Sequence, residues 1–208
     1  NDSFSWRDQE LPACNDDDIH LGNPIGCTRH VNSTRVKKAV ADFYARFNSV
    51  VSKFHFCDVD VKYSLYKSLC MSVYGSQLWD FSSPSCDLFF VAWRKALRRL
   101  LKIQARTHNT LLHLNVNNIP MEIQLHRGFV NCFHKALHSS NTCTRICAEL
   151  ALHGSHSNTF NSVNYICNRY DIDANSFRHV SLPNILKYLN TTDDEQNCIT
   201  ASAIYDFL

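Results

Sequence analysis

The sequence predicts a mainly α-helical protein, and three observations carry that prediction. Apolar residues recur at spacings of three and four over long stretches, the period of a helix with one buried face. Only five Gly and five Pro occur in 208 residues, too few turn formers for a sandwich of many short strands. An apolar content of 45%, with 12% aromatics, is enough to build a real core. The expected layout is a short strand and turn segment over residues 1–30, a three-helix bundle over 31–110 and a helical extension over 111–208.

Residues 1–30 carry Pro12, Gly22, Pro24 and Gly26 and the acidic cluster Asp16, Asp17 and Asp18, which suits short strands and turns better than a helix. The first helix is expected to start at a Ser33 or Thr34 cap and to present Val36, Val40, Phe43, Phe47, Val50 and Phe54. After a break at Phe56-Cys57-Asp58, a second helix is expected from about Asp60 to Tyr74, carrying Tyr66, Leu69, Cys70 and Val73 and stopped by Gly75. Ser82-Ser83-Pro84-Ser85 makes a loop, and a third helix follows with Phe90, Trp93, Leu97 and Leu100 on its apolar face.

Pro120 opens a further helix through Leu125, Phe129, Phe133 and Leu137. Another is expected from about Thr142 to His153-Gly154. Ser155 to Ser162 reads as a loose polar stretch. In the tail, Ser181 before Pro183, and Thr192 with Glu195 at capping-box spacing, mark two more helix starts. No apolar run approaches the roughly 18 residues a membrane span needs, so no membrane partner is expected.

Charge singles out the third helix. Leu88 to Met121 holds Arg94, Lys95, Arg98, Arg99, Lys102 and Arg106 and no Asp or Glu. With the whole chain at +2, these six charges leave the remainder at −4. Arg94, Arg98 and Lys102 follow one another at i, i+4, where like charges repel by about 0.2–0.5 kcal/mol per pair. A merely solubilising face mixes signs, so an external anion is expected to compensate the stripe. Arg106, His108 and Asn109 are expected to add contacts just beyond it. Trp93 is assigned to the core, and Trp79 is left open between core packing and base stacking.

Cys132, His134, His138, Cys143, Cys147, His153 and His156 crowd together, but their spacing matches no common zinc pattern. Cys143 and Cys147 instead fall with Leu150 on one helical stripe. No metal and no cysteine nucleophile is expected. The ten cysteines and the sequons at Asn1, Asn32 and Asn190 would also suit a secreted, disulfide-linked helical protein. Cysteines on apolar helix faces, such as Cys70, favour reduced thiols and an intracellular chain. Beginning at Asn1 without a leader, the chain is expected to be a processed product or a piece of a longer one.

Four motifs in order add a resemblance: His20-Leu21-Gly22 with Ile25-Gly26, Asp42 to Asn48, Leu69 to Trp79, and Ala92 to Leu100 followed by Arg106-Thr107-His108 and Leu111-Leu112. Together they resemble the region from the end of the palm through the thumb of LINE-type (non-LTR) retrotransposon reverse transcriptases of the jockey and chicken-repeat kind. The likeness runs from about Ile19 to Leu152. It implies an end-of-palm remnant with a primer-grip-like His20, Leu21 and Gly22, a helical thumb and a helical C-terminal extension.

By the same likeness, Arg94, Lys95, Arg98, Arg99, Lys102, Arg106 and His108 would hold an RNA template and DNA primer by their phosphates, beside the rest of the parent polymerase, in nucleus and cytoplasm. Such polymerases use Mg²⁺ held by palm aspartates. Asp16 to Asp18 lie too close to His20 and lack preceding apolar residues, so no catalytic residue and no cofactor is expected in this chain. A third possibility is a repurposed interaction domain with no nucleic-acid role.

Overall fold

The computed structural model describes residues 4–6, 9–11, 19–20, 23–24, 29–109, 111–112, 119–153 and 157–172. The architecture is mainly helical. Strand β1 (Phe4–Trp6) pairs antiparallel with β2 (Gln9–Leu11), and β3 (Ile19–His20) with β4 (Asn23–Pro24), His20 lying opposite Asn23. Leu21, Gly22, Asp16 to Asp18 and both tail start signals lie outside the described residues.

Helix α1 (Arg29–Lys53) begins ahead of the expected Ser33 or Thr34 cap. Its first turn is held from elsewhere in the chain. Val31 and Asn32 are buried, and the Asn32 side chain accepts from the amide of Asp80 at 2.9 Å and donates to Ser85 Oγ at 3.1 Å. Val36, Phe43, Phe47 and Val50 fill the core as their spacing predicts.

Helix α2 (Val59–Cys70) ends four residues short of Tyr74. A side chain of α1 holds its end: Arg46 Nη1 donates to Leu69 O in the last turn at 3.3 Å and to Ser72 O just beyond the helix at 2.9 Å. Tyr66 and Cys70 are buried, whereas Leu69 is exposed. Gly75 does not end this helix. It adopts φ 76°, the left-handed region open to glycine, and opens a short 3₁₀ turn at Ser76–Leu78.

Helix α3 (Ser85–Leu101) buries Phe90, Trp93, Leu97 and Leu100 as expected, together with Cys86, Phe89, Ala92 and Ala96. It packs chiefly on α1. Phe89 meets Phe43 and Trp79 edge to face at ring distances of 5.5 and 5.4 Å, a geometry that adds about 0.5–1.5 kcal/mol per pair to the burial of area.

Helices α4 (Met121–Leu137), α5 (Thr142–His153) and α6 (Asn158–Tyr170) complete the described body. Leu125, Phe129, Phe133 and Leu137 of α4 are buried on the predicted face. Where a loose polar stretch was expected, α6 starts at Asn158, because Ser157 caps it by accepting from the amide of Phe160 at 3.0 Å. Ser162, polar and fully buried, is on its inner face.

Candidate nucleic-acid interface

The C-terminal half of α3 and the turn after it build the most cationic surface among the described residues. Val91, Arg94, Lys95, Arg98, Arg99, Ile103 and Ala105, four of them basic, line an open groove of about 340 Å³. Helical periodicity puts Leu97 and Leu100 in the core, which leaves Arg94, Lys95, Arg98 and Arg99 to the outside. None of the six basic side chains has a carboxylate partner among the described residues, where Glu122 and Arg169 form an ion pair elsewhere, at 3.1 Å.

The six do not act alike, and the expected i, i+4 stripe is broken. Arg98 turns back onto the chain: its Nη2 donates to Thr107 O at 2.8 Å and Asn109 Oδ1 at 2.7 Å, and its Nε to Thr107 O at 3.3 Å. Arg99 reaches α1, where it lies 5.7 Å from the Phe47 ring centre and donates to Asn48 Oδ1 at 3.3 Å. Lys102 is off the helix altogether. At φ 55° it is the left-handed closing residue, and its amide donates to Arg98 O and Arg99 O.

Arg98 and Arg99 also sit in the last turn, where the helix dipole favours cations by about 0.3–1 kcal/mol. The fold thus accounts for these two charges internally. The side chains of Arg94, Lys95, Lys102 and Arg106 make no hydrogen bond or ion pair among the described residues. Lys95, Lys102, Arg106 and His108 are exposed and Arg94 half-buried.

Trp93 is core, and so is Trp79, buried against Phe81 and Phe89 and closed to base stacking. Tyr74, 67% exposed, keeps an open face. The stripe of Cys143, Cys147 and Leu150 is exposed, and α5 turns Ala148 and Leu152 inward. His134 and His138 stack at 4.1 Å. Among the described residues no group of three or more His, Cys, Asp or Glu is disposed to hold a metal ion. The seven described cysteines are free, and burial raises the Cys70 thiol and pushes that of Cys86 up to about 12. No described helix is long and apolar enough to cross a membrane.

Two polar arrangements went unread in the sequence. The first centres on Asp80, buried between α1 and α6. Asn32 bonds its backbone from one side; Asn161 Nδ2 donates to its Oδ2 at 3.1 Å from the other, and Ser82 donates to its Oδ1. Ser162 Oγ accepts from Phe81 N at 3.0 Å and donates to Trp79 O at 2.8 Å. Arg35 Nη1 donates to Leu78 O at 3.0 Å. Every polar side chain here faces backbone or another side chain, so the cluster is a latch for the segment Leu78–Phe81.

The second is His126 on α4, fully buried, with Nδ1 2.8 Å from Tyr170 Oη and its ring edge-on to Phe81. Burial, and next the nearby Arg169 guanidinium, hold its pKa down to about 3.

No protein-family profile, curated protein or solved structure matches the chain.

Proposed function

We propose that this chain is the thumb and post-thumb part of a non-LTR reverse transcriptase, and that it grips a template-primer duplex through phosphates with the face around Arg94 and Lys95. One observation carries the reading: a groove walled by four basic side chains, with no carboxylate partner for any of them among the described residues. Arg94, Lys95, Lys102 and Arg106 supply the contacts. Arg98 and Arg99 shape the wall from which the first two project.

A thumb slides along every sequence its polymerase copies, so it uses phosphate contacts, which give affinity without sequence information. In this reading the reaction belongs to a palm outside the chain. The isolated protein therefore extends no primer with Mg²⁺ or Mn²⁺; extension abolished by Asp17→Asn would overturn that part.

The test is the salt dependence of binding to duplex DNA. Each neutralised phosphate contributes about 0.9 to the slope of log K against log salt, so four contacts give a slope near −3.6. Arg94→Gln, Lys95→Gln and Lys102→Gln together should cut its magnitude by up to about 2.7 and weaken all sequences alike. Arg98 is left intact because its loss would disturb the turn. Unchanged binding in the folded triple variant would refute the assignment, and loss on one sequence alone would identify a base reader.

A further inference from the structure

The groove on α3 has a lining of two chemistries, and the second takes no part in holding phosphate. Beside its four cations stand Val91, Ile103 and Ala105, aliphatic side chains without a polar atom; Val91 is 38% exposed and Ala105 is exposed too. A backbone drawn in by Arg94 and Lys95 therefore brings its sugars against hydrocarbon.

Acceptors bonded to the groove's arginines are already engaged. Asn48 Oδ1 takes a hydrogen bond from Arg99, and Thr107 O and Asn109 Oδ1 take theirs from Arg98. Arg98 O and Arg99 O, at the end of the helix, accept from the amide of Lys102. No lining side chain accepts a proton from a ligand, since four are cations, which only donate, and three are aliphatic.

That bears on the 2′-hydroxyl, the group that distinguishes ribose from deoxyribose. Its oxygen can accept from a cation, but its proton needs an acceptor, and a hydroxyl set against hydrocarbon loses hydration that nothing replaces. The 2′-methylene of deoxyribose makes no such demand and adds apolar contact.

We propose that this groove takes a deoxyribose strand and disfavours ribose, with Val91, Ile103 and Ala105 setting the preference. The inference rests on the duplex-grip reading above, and it assigns the groove to the DNA strand of an RNA–DNA hybrid. Because the groove is open, the preference should be about tenfold, below the roughly hundredfold that a closed apolar pocket exerts against an added hydroxyl.

The test titrates full-length protein, by fluorescence anisotropy at one salt concentration, with four duplexes of the same sequence. These are DNA–DNA, RNA–DNA, RNA–RNA, and an RNA–RNA analogue with fluorine in place of every 2′-hydroxyl, which keeps the A-form without the hydroxyl proton. RNA–RNA should bind about tenfold more weakly than RNA–DNA, and the fluorine should restore the affinity. Val91→Asn, which adds an acceptor at an exposed helix position, should narrow the gap by strengthening RNA–RNA. In a second variant, p-benzoylphenylalanine in place of Val91 should crosslink to the DNA strand of the hybrid. Equal affinity for all four duplexes, or crosslinking to the RNA strand, would overturn the strand preference and leave the grip standing. Weak binding of the fluorinated duplex would do the same, identifying helix shape as the quantity read. Failure to bind any of the four would overturn the grip itself and this inference with it.

Discussion

His126 is neutral in the folded protein, and that has a consequence for acid stability. Its pKa is about 3 when folded against about 6.5 when unfolded, so between these values the unfolded chain binds the extra proton. Stability is therefore unaffected by this group above about pH 6.5 and falls as the pH drops below it, by up to about 1.4 kcal/mol per pH unit. Tyr170, Tyr165 and Arg169 face the ring from α6, and Glu122 on α4 is paired with Arg169; none supplies a carboxylate bonded to the imidazole. Urea unfolding at pH 7.5 and 4.5 checks this: with His126→Phe and Tyr170→Phe combined, the loss between the two pH values should shrink markedly. A second residue-scale expectation concerns Ser162. Its alanine variant leaves the Phe81 amide and the Trp79 carbonyl without their partner in the interior and should cost about 1–3 kcal/mol, read as a lower urea midpoint at unchanged slope.

At the scale of elements, α3 separates charges that hold the fold from charges that face outward. Arg98→Gln should loosen the turn from Ile103 to Asn109 and cost about 1 kcal/mol, because three hydrogen bonds end on that guanidinium. Arg94→Gln, with no such bonds, should leave the melting temperature unchanged. Thermal melts of the two variants side by side make the comparison, and equal effects would contradict it. The same contrast explains what the sequence could disclose. The buried faces of α3 and α4 were legible because Phe90, Trp93, Leu97 and Leu100, and again Leu125, Phe129, Phe133 and Leu137, keep one helical period without interruption. The end of α2 was not, since the residue that holds it is Arg46, a side chain 23 residues from Leu69. The start of α6 was hidden by a polar run whose inner member, Ser162, is satisfied only by a loop 81 residues away. For the candidate site, the concentration of positive charge could be read directly, but not which guanidinium groups bend back onto the chain.

For the whole molecule, the aromatic centre of Phe43, Phe47, Tyr66, Trp79 and Phe89 joins α1, α2 and α3 around one focus. Phe89→Ala should cost about 3–5 kcal/mol, and chemical denaturation monitored by tryptophan fluorescence would measure it.

The latch at Leu78–Phe81 also bears on how the protein is made. Its partners on α1 leave the ribosome first, but Asn161 and Ser162 are synthesised 81 residues after Asp80 and Phe81. At about 5–20 residues per second, that delay is roughly 4–16 s. Throughout it the nascent chain holds a half-assembled pocket, with the Asp80 carboxylate and the Trp79 carbonyl waiting for α6. Synthesis paused before Asn161 emerges should leave this loop open to proteases, and release past Ser162 should close it.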